Sequence, residues 1–285
     1  MKFKTTIKKV GVTGIENISI EFEDNVPSRY LNAIRRVIID SKIPAKCLGC
    51  KEEDVICEDP YFIHDYFLLN LESIPLMQNI PMDMKFGLKI QNKTNLPIVV
   101  YSRDIPGLCP KYANEMFVLC SLFPKHTLDV KNIRPDIRKG NARQSVACEI
   151  FAGDNHLTGK SEIRFSNMGS MPPIDILKEA IKLVMKKLNG VKDRLDDFEI
   201  NEPHEGITKC VLFLPGEEST VTEQIFINVQ KLYEKKVDII VFDLEDHSGA
   251  KISLNILDGL DPKKIINDAI NMSVTFYMNF MELIK

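Results

Sequence analysis

The side chains of this 285-residue chain best suited to nucleophilic or metal chemistry are its seven cysteines and five histidines. Cys47-Leu48-Gly49-Cys50, with Cys57 close behind, has the spacing at which two thiolates can chelate tetrahedral Zn²⁺. A second pair at matching spacing is absent, and Cys109, Cys120, Cys148 and Cys210 stand singly, so buried thiols are the plainer reading. A cysteine nucleophile would have to be Cys50 or Cys57 working with His64. His64, His126, His156, His204 and His247 show no HExxH or other ligand spacing, and neither a glycine-rich phosphate loop nor a G-x-S-x-G elbow occurs. Glu52-Glu53 and Asp196-Asp197 fall in polar, turn-like stretches that keep carboxylates solvated. Asp83 sits between two methionines without the acidic neighbours of a Mg²⁺ site. The residues therefore predict no catalytic group in this chain.

Composition narrows the classes further. Lys and Arg total 37 against 40 Asp and Glu, a net charge of −3, so the chain lacks the basic surface of an autonomous nucleic-acid binder. No run approaches the ~18 apolar residues that span a bilayer, and the opening Met1-Lys2-Phe3-Lys4 has no apolar block of a signal peptide. With an odd number of cysteines, these features predict an intracellular protein with reduced thiols and no membrane association.

The elements that would position such groups are legible from periodicity. Apolar and polar residues roughly alternate from Phe3 to Val10 and from Ile15 to Phe22, predicting a strand pair. Pro27 opens a helix whose Tyr30, Leu31, Ile34, Val37 and Ile38 share one face, ending near Ser41 before Ile43-Pro44. From Ala45 to about Asp154 short β-like runs follow, among them Phe62 to Leu69, Phe86 to Ile90 and Met116 to Leu122, with a polar, basic loop from Lys131 to Gln144. A strand at Ser161 to Phe165 then leads to a second helix from Pro172 to Leu188, with Gly190 marking its end. Lys192 to Gly206 reads as a linker, which as a coil of about 15 residues would span ~20 Å. Beyond it come strands at Lys209 to Phe213, Val237 to Leu244 and Ile252 to Leu257. A helix opens at Thr220 with Glu223 as its capping box, and a terminal helix has Asp261 as N-cap and Pro262 at N1. The two ends thus share a plan of strands supporting two helices, a degenerate repeat interrupted only in its first copy.

One stretch is more specific. Leu31-Asn32-Ala33-Ile34-Arg35-Arg36-Val37-Ile38, trailing into Ile43-Pro44, resembles the first helix of the RNA polymerase alpha family, which includes the bacterial alpha subunit and the third-largest subunit of eukaryotic RNA polymerase II. Leu71-Glu72-Ser73-Ile74-Pro75-Leu76, Val100-Tyr101-Ser102-Arg103-Asp104-Ile105, Gly140 to Ala147, and Phe165 to Pro173 resemble later family segments in the same order. The tail, with Gly259-Leu260-Asp261-Pro262-Lys263-Lys264 before a long helix, resembles the small partner subunit, the eleventh of RNA polymerase II. A fusion of the two is similar to the arrangement in large DNA viruses. The family's Arg and Gly before Ile-Pro-Leu are replaced by Asn70 and Glu72, and the Thr-Leu-Gly-Asn of the partner subunit by Thr220-Val221-Thr222-Glu223. No cysteine follows Leu76 until Cys109, where the nuclear third subunit has its zinc cluster, so no zinc is expected.

The resemblance implies an α+β fold of two alpha-type dimerisation modules, each a sheet with paired helices. The first, 1–44 with 155–191, is interrupted by a β-rich insertion at 45–154; the linker is 192–206 and the second module 207–285. It implies a non-catalytic platform for assembling a DNA-directed RNA polymerase, without a cofactor of its own, Mg²⁺ belonging to the catalytic subunits. Ile34, Val37, Ile38, Leu177, Ile181, Val184, Ile266, Ile270, Tyr277 and Phe280 would make the intramolecular dimer. Asn32, Arg35, Arg36, Arg103, Arg138, Lys139 and Arg143 would face the two largest subunits, with small polymerase subunits as further partners, little or no DNA contact and no homo-oligomer. A viral source would place the protein in a cytoplasmic factory and the virion, another source in nucleus or cytoplasm. The main rival is a sliding-clamp-like processivity factor, which would need two copies of near-equal length.

Overall fold

The computed structural model describes residues 3–10, 15–22, 26–39, 43–77, 79–110, 113, 115, 117–139, 150–155, 160–167, 171–201, 204–216, 219–234, 236–243, 249–257 and 259–284. The chain opens with β1 (Phe3–Val10), β2 (Ile15–Phe22) and α1 (Ser28–Ile39). It continues through β3 (Pro44–Gly49), β4 (Val55–Cys57), α2 (His64–Glu72), β5 (Phe86–Gln91), β6 (Ile98–Tyr101), β7 (Val118–Leu122) and β8 (Thr127–Lys139). There follow β9 (Ile150–Asn155), β10 (Lys160–Asn167), α3 (Pro173–Lys192), β11 (Glu199–Ile200), β12 (Ile207–Pro215), α4 (Ser219–Leu232), β13 (Val237–Asp243), β14 (Gly249–Leu257) and α5 (Pro262–Leu283). The fold is α+β, with antiparallel pairing throughout the described sheets.

Two sheets have the same wiring. One runs β1-β2-β10-β9 and the other β11-β12-β14-β13. With β3 to β8 set aside, each copy reads strand, strand, helix, strand, strand, helix. Period-2 alternation sends Ile18, Ile20 and Phe22 of β2 inward, in register with Ile163 and Phe165 of β10. In the second copy Cys210, Leu212 and Leu214 of β12 face inward beside Ile252, Leu254 and Ile256 of β14. These inner faces and helices α1, α3, α4 and α5 belong to one hydrophobic cluster. Gly249 begins β14 where a Cβ would meet the Leu214 carbonyl oxygen at 2.4 Å, so glycine alone fits that approach of two backbones.

The insertion has a separate cluster that includes Leu48, Phe67, Leu71, Leu88, Leu122 and Ile133. Its long strand β8 is shared, pairing with β4 and β5 along its first part and with β3 from Arg134 to Lys139. Asn132, at φ 54°, lies where the β5–β8 register shifts between Val130 and Ile133, and donates from Nδ2 to Asp54 Oδ1 at 2.8 Å.

Several expectations from periodicity need correcting. The run Phe62 to Leu69 is not a strand: residues 64–72 form α2, which buries Phe67 and Leu71, four residues apart, as a helix face does. A short apolar run fits either period. The polar loop expected from Lys131 is strand as far as Lys139, because Ile133 and Pro135 alternate inward. The first copy resumes at Ile150, since β9 pairs with β10 and not with the insertion; α3 continues through Gly190 to Lys192. The linker is structured as well. A 3-10 turn at Leu195–Asp197 and strand β11 occupy it, and Phe198 joins the main core. A flexible-coil description of that segment does not hold beside these contacts.

Candidate subunit interface

The helices of the two copies meet in pairs. α1 packs against α4 and α3 against α5, each helix facing its topological counterpart, while α1 with α3 and α4 with α5 pack within a copy. Such self-matching contacts are what a two-fold interface requires. Ile34, Val37 and Ile38 on α1, Leu177, Ile181 and Val184 on α3, and Ile266, Ile270, Tyr277 and Phe280 on α5 are all buried in the shared cluster. Each fully buried aliphatic or aromatic side chain contributes about 1.5–3 kcal/mol. The terminal helix has its expected start, with Asp261 Oδ1 accepting from Lys263 N at 3.0 Å ahead of Pro262.

A hydrogen-bonded cluster lies inside this apolar contact. The Tyr30 hydroxyl donates to Asn228 Oδ1 at 2.7 Å, and Asn228 Nδ2 donates to Ala269 O and Ser273 Oγ, both at 2.9 Å. The Tyr277 hydroxyl lies 3.0 Å from Tyr30 O and 2.9 Å from Gln224 Oε1, sharing its one hydrogen between them, while Gln224 Nε2 donates to Thr220 O. α1, α4 and α5 are thereby linked by groups away from water. Burial holds the Tyr277 hydroxyl protonated well above its ordinary range, with Tyr30 adding to the shift. An unpaired buried group here would cost about 1–3 kcal/mol, so the helices are stable only in the register that pairs them.

Polar contacts continue at the margin. Arg29 of α1 lies 3.8 Å from Glu223 of α4 and over the Phe226 ring at 5.6 Å. Glu223, expected as part of a capping box, therefore reaches across to the other copy. Thr220 is buried within the helix, and the Thr222 hydroxyl has no hydrogen-bond partner among the described residues. Where the linker was expected, Lys192 Nζ donates to Asn271 Oδ1 at 2.9 Å and Lys263 Nζ to Asp196 Oδ1 at 2.6 Å.

No protein-family model matches the chain, and no curated protein matches it. Its site rests on geometry.

The residues expected to face other subunits occupy separate elements. Arg35 is half-buried on α1 and donates from Nε to Asn32 Oδ1 at 2.8 Å, which fixes its guanidinium on the helix surface. Arg36 follows, also half-buried. Arg103 is exposed beyond β6, stacked over Tyr101 at 4.9 Å and paired with Glu115. Arg138 and Lys139 lie in β8 opposite Ala45 and Pro44. Arg143 lies outside the described residues.

Among the described residues no group of three or more His, Cys, Asp or Glu is arranged to hold a metal ion. Burial pushes the Cys57 thiol up, and pushes Cys120 up to about 12 with Cys57 and Asp59 adding to the shift. A nucleophilic thiol needs the opposite direction.

The sequence reading missed two features. One is the polar cluster, whose trace is Gln224 and Asn228, four residues apart beside Val221, Ile225 and Val229 on the buried face of α4. The other is the exposed apolar surface of α2, hidden by the reading of that run as a strand.

Proposed function

We propose that the chain is a non-catalytic assembly subunit of a multisubunit DNA-directed RNA polymerase, an alpha-like heterodimer contained in one polypeptide. The observation that carries this reading is the pairing of two identically wired units, α1 on α4 and α3 on α5, through one continuous core. The insertion interrupting only the first unit, and the Asn32 to Pro44 motif on and after α1, support the same reading. The paired units act as a rigid platform on which the two largest subunits dock, with Arg35 and Arg36 among the contacts and the active-site Mg²⁺ supplied by the catalytic subunits. The platform itself makes little contact with DNA and forms no homo-oligomer.

The test is affinity purification of the tagged chain from its native source, with mass spectrometry and an RNA-synthesis assay on the eluate. Two large subunits and template-directed synthesis are expected, and the isolated chain is expected to be inactive. Arg35→Ala with Arg36→Ala should leave the fold intact, since surface changes usually shift stability by within about 0.5 kcal/mol, while lowering recovery of the large subunits. An eluate without large polymerase subunits would remove the proposal.

A further inference from the structure

We propose that the insertion carries a second docking surface, an acid-rimmed aromatic patch on and around α2 that takes a basic polypeptide segment with apolar anchors. Tyr66 and Leu69, three residues apart on α2, face outward at 54% and 56% exposure, and Ile63 at the N-cap is 67% exposed. Tyr61, 76% exposed, stands just ahead of the helix and lies against the exposed Phe123 ring at 5.5 Å. Large apolar side chains gathered in this way mark interaction sites more than folding needs.

The patch is held in shape from beneath. Asp59 is buried, and its two carboxylate oxygens accept from the backbone N–H groups of Tyr61 at 3.0 Å and Phe123 at 2.9 Å. A buried carboxylate thus fixes two outward-facing aromatics, which lowers the ordering cost when a partner arrives.

Charge identifies that partner. Residues 51–72 contain seven acidic side chains and one lysine, a net −6 in a chain whose total is −3. Glu52, Glu53, Glu58 and Asp65 are exposed. Lys51, Glu52, Glu53 and His64 line one shallow cleft, which brings the acidic 3-10 turn at Glu52–Asp54 against the start of α2. Lys51 is itself paired with Glu53 at 3.0 Å. Such a rim repels nucleic acid and anionic lipid and draws in lysine- or arginine-rich protein.

This inference goes beyond the polymerase reading and does not need it, so its test uses no polymerase subunit. The probes are fluorescent amphipathic peptides of about 18 residues, five helical turns, with identical leucine and phenylalanine anchors and lysine, glutamine or glutamate between them. Titrated against the full-length chain, the lysine peptide should bind with Kd below about 100 µM, and at least about tenfold more tightly than the glutamate peptide at low salt. Tyr66→Ser with Leu69→Ser should weaken it about tenfold or more, as loss of aromatic anchors does. Glu52→Gln, Glu53→Gln and Asp65→Asn together should weaken it several-fold and flatten its salt dependence; all five positions are exposed, so the fold tolerates them. Equal affinity for the lysine and glutamate peptides, no binding by about 100 µM, or binding untouched by these variants would overturn the proposal. So would light scattering that shows a dimer lost in the Tyr66 and Leu69 variant, since the occupant would then be a second copy of the chain.

Discussion

Removing one oxygen from Tyr30 tests whether the two copies share an interface. Tyr30→Phe keeps the ring, which is buried among Phe276 at 4.5 Å and Tyr277 at 5.8 Å, so the lost hydroxyl is the main change. Asn228 Oδ1, 1% exposed as a residue, then loses its donor from α1. Stranding a buried acceptor costs about 1–3 kcal/mol. With a urea slope of about 3 kcal/mol per molar for a chain of this size, a 2 kcal/mol loss moves the unfolding midpoint by about 0.7 M. Asn228→Ala removes the other partner, and a double-mutant cycle between the two should return a coupling of about 1–2 kcal/mol. Urea unfolding followed by circular dichroism measures all four proteins. Additive effects, with Tyr30→Phe within about 0.3 kcal/mol of the parent, would mean that α1 and α4 do not meet and would refute the reasoning.

Two further outcomes follow from the same core. Phe280 is fully buried and packs edge-on against Phe22 of the other copy at 5.2 Å; Phe280→Asp buries an unpaired charge and should cost several kcal/mol, read as loss of the cooperative thermal transition, whereas a change below about 1 kcal/mol would place Phe280 at the surface. Stability should also fall at alkaline pH, because Tyr233 is raised from 10.0 to about 12, by burial and then by its bond to Asp268, and Tyr277 is raised well above 10.0. The folded state holds these protons more tightly than the unfolded chain, so their contribution is complete below about pH 10 and is lost as pH rises toward 12 and beyond. The thiols of half-buried Cys57 and of buried Cys120 and Cys210, raised from 9.0 by burial, act in the same direction from a lower pH. Urea midpoints measured across this range should decline, less steeply in Tyr277→Phe; a flat profile would contradict the burial of that hydroxyl.

What the sequence made legible was local and periodic. The hairpin β1–β2, the apolar face of α1, the start of α5 at Asp261-Pro262 and the repeated plan of the two ends all come from alternation, helical spacing or capping chemistry within one segment. The insertion was harder because its runs are short: Phe62 to Leu69 satisfies both periods, and the inward residues Phe67 and Leu71 are identified only by what they pack against. Phe198, amid acidic residues, looked like part of a solvated linker, yet it enters the core. At the candidate interface the aliphatic positions were readable as stripes, but Tyr30, Asn228 and Tyr277 come together across separations of 198 and 247 residues, which no local pattern encodes. The charge concentration at 51–72 was present in the sequence; its pairing with an exposed aromatic stripe was not.

The central claim, that the two copies form one interface, is tested most directly by cutting the chain between them. Asp196 and Asp197 are exposed in the 3-10 turn at Leu195–Asp197, after α3 and ahead of β11, so a protease site inserted there separates the two copies and leaves β11 with β12. After complete cleavage there, size-exclusion chromatography with light scattering should show both fragments co-eluting at the mass of the intact chain. Two fragments eluting separately as folded monomers would contradict the account.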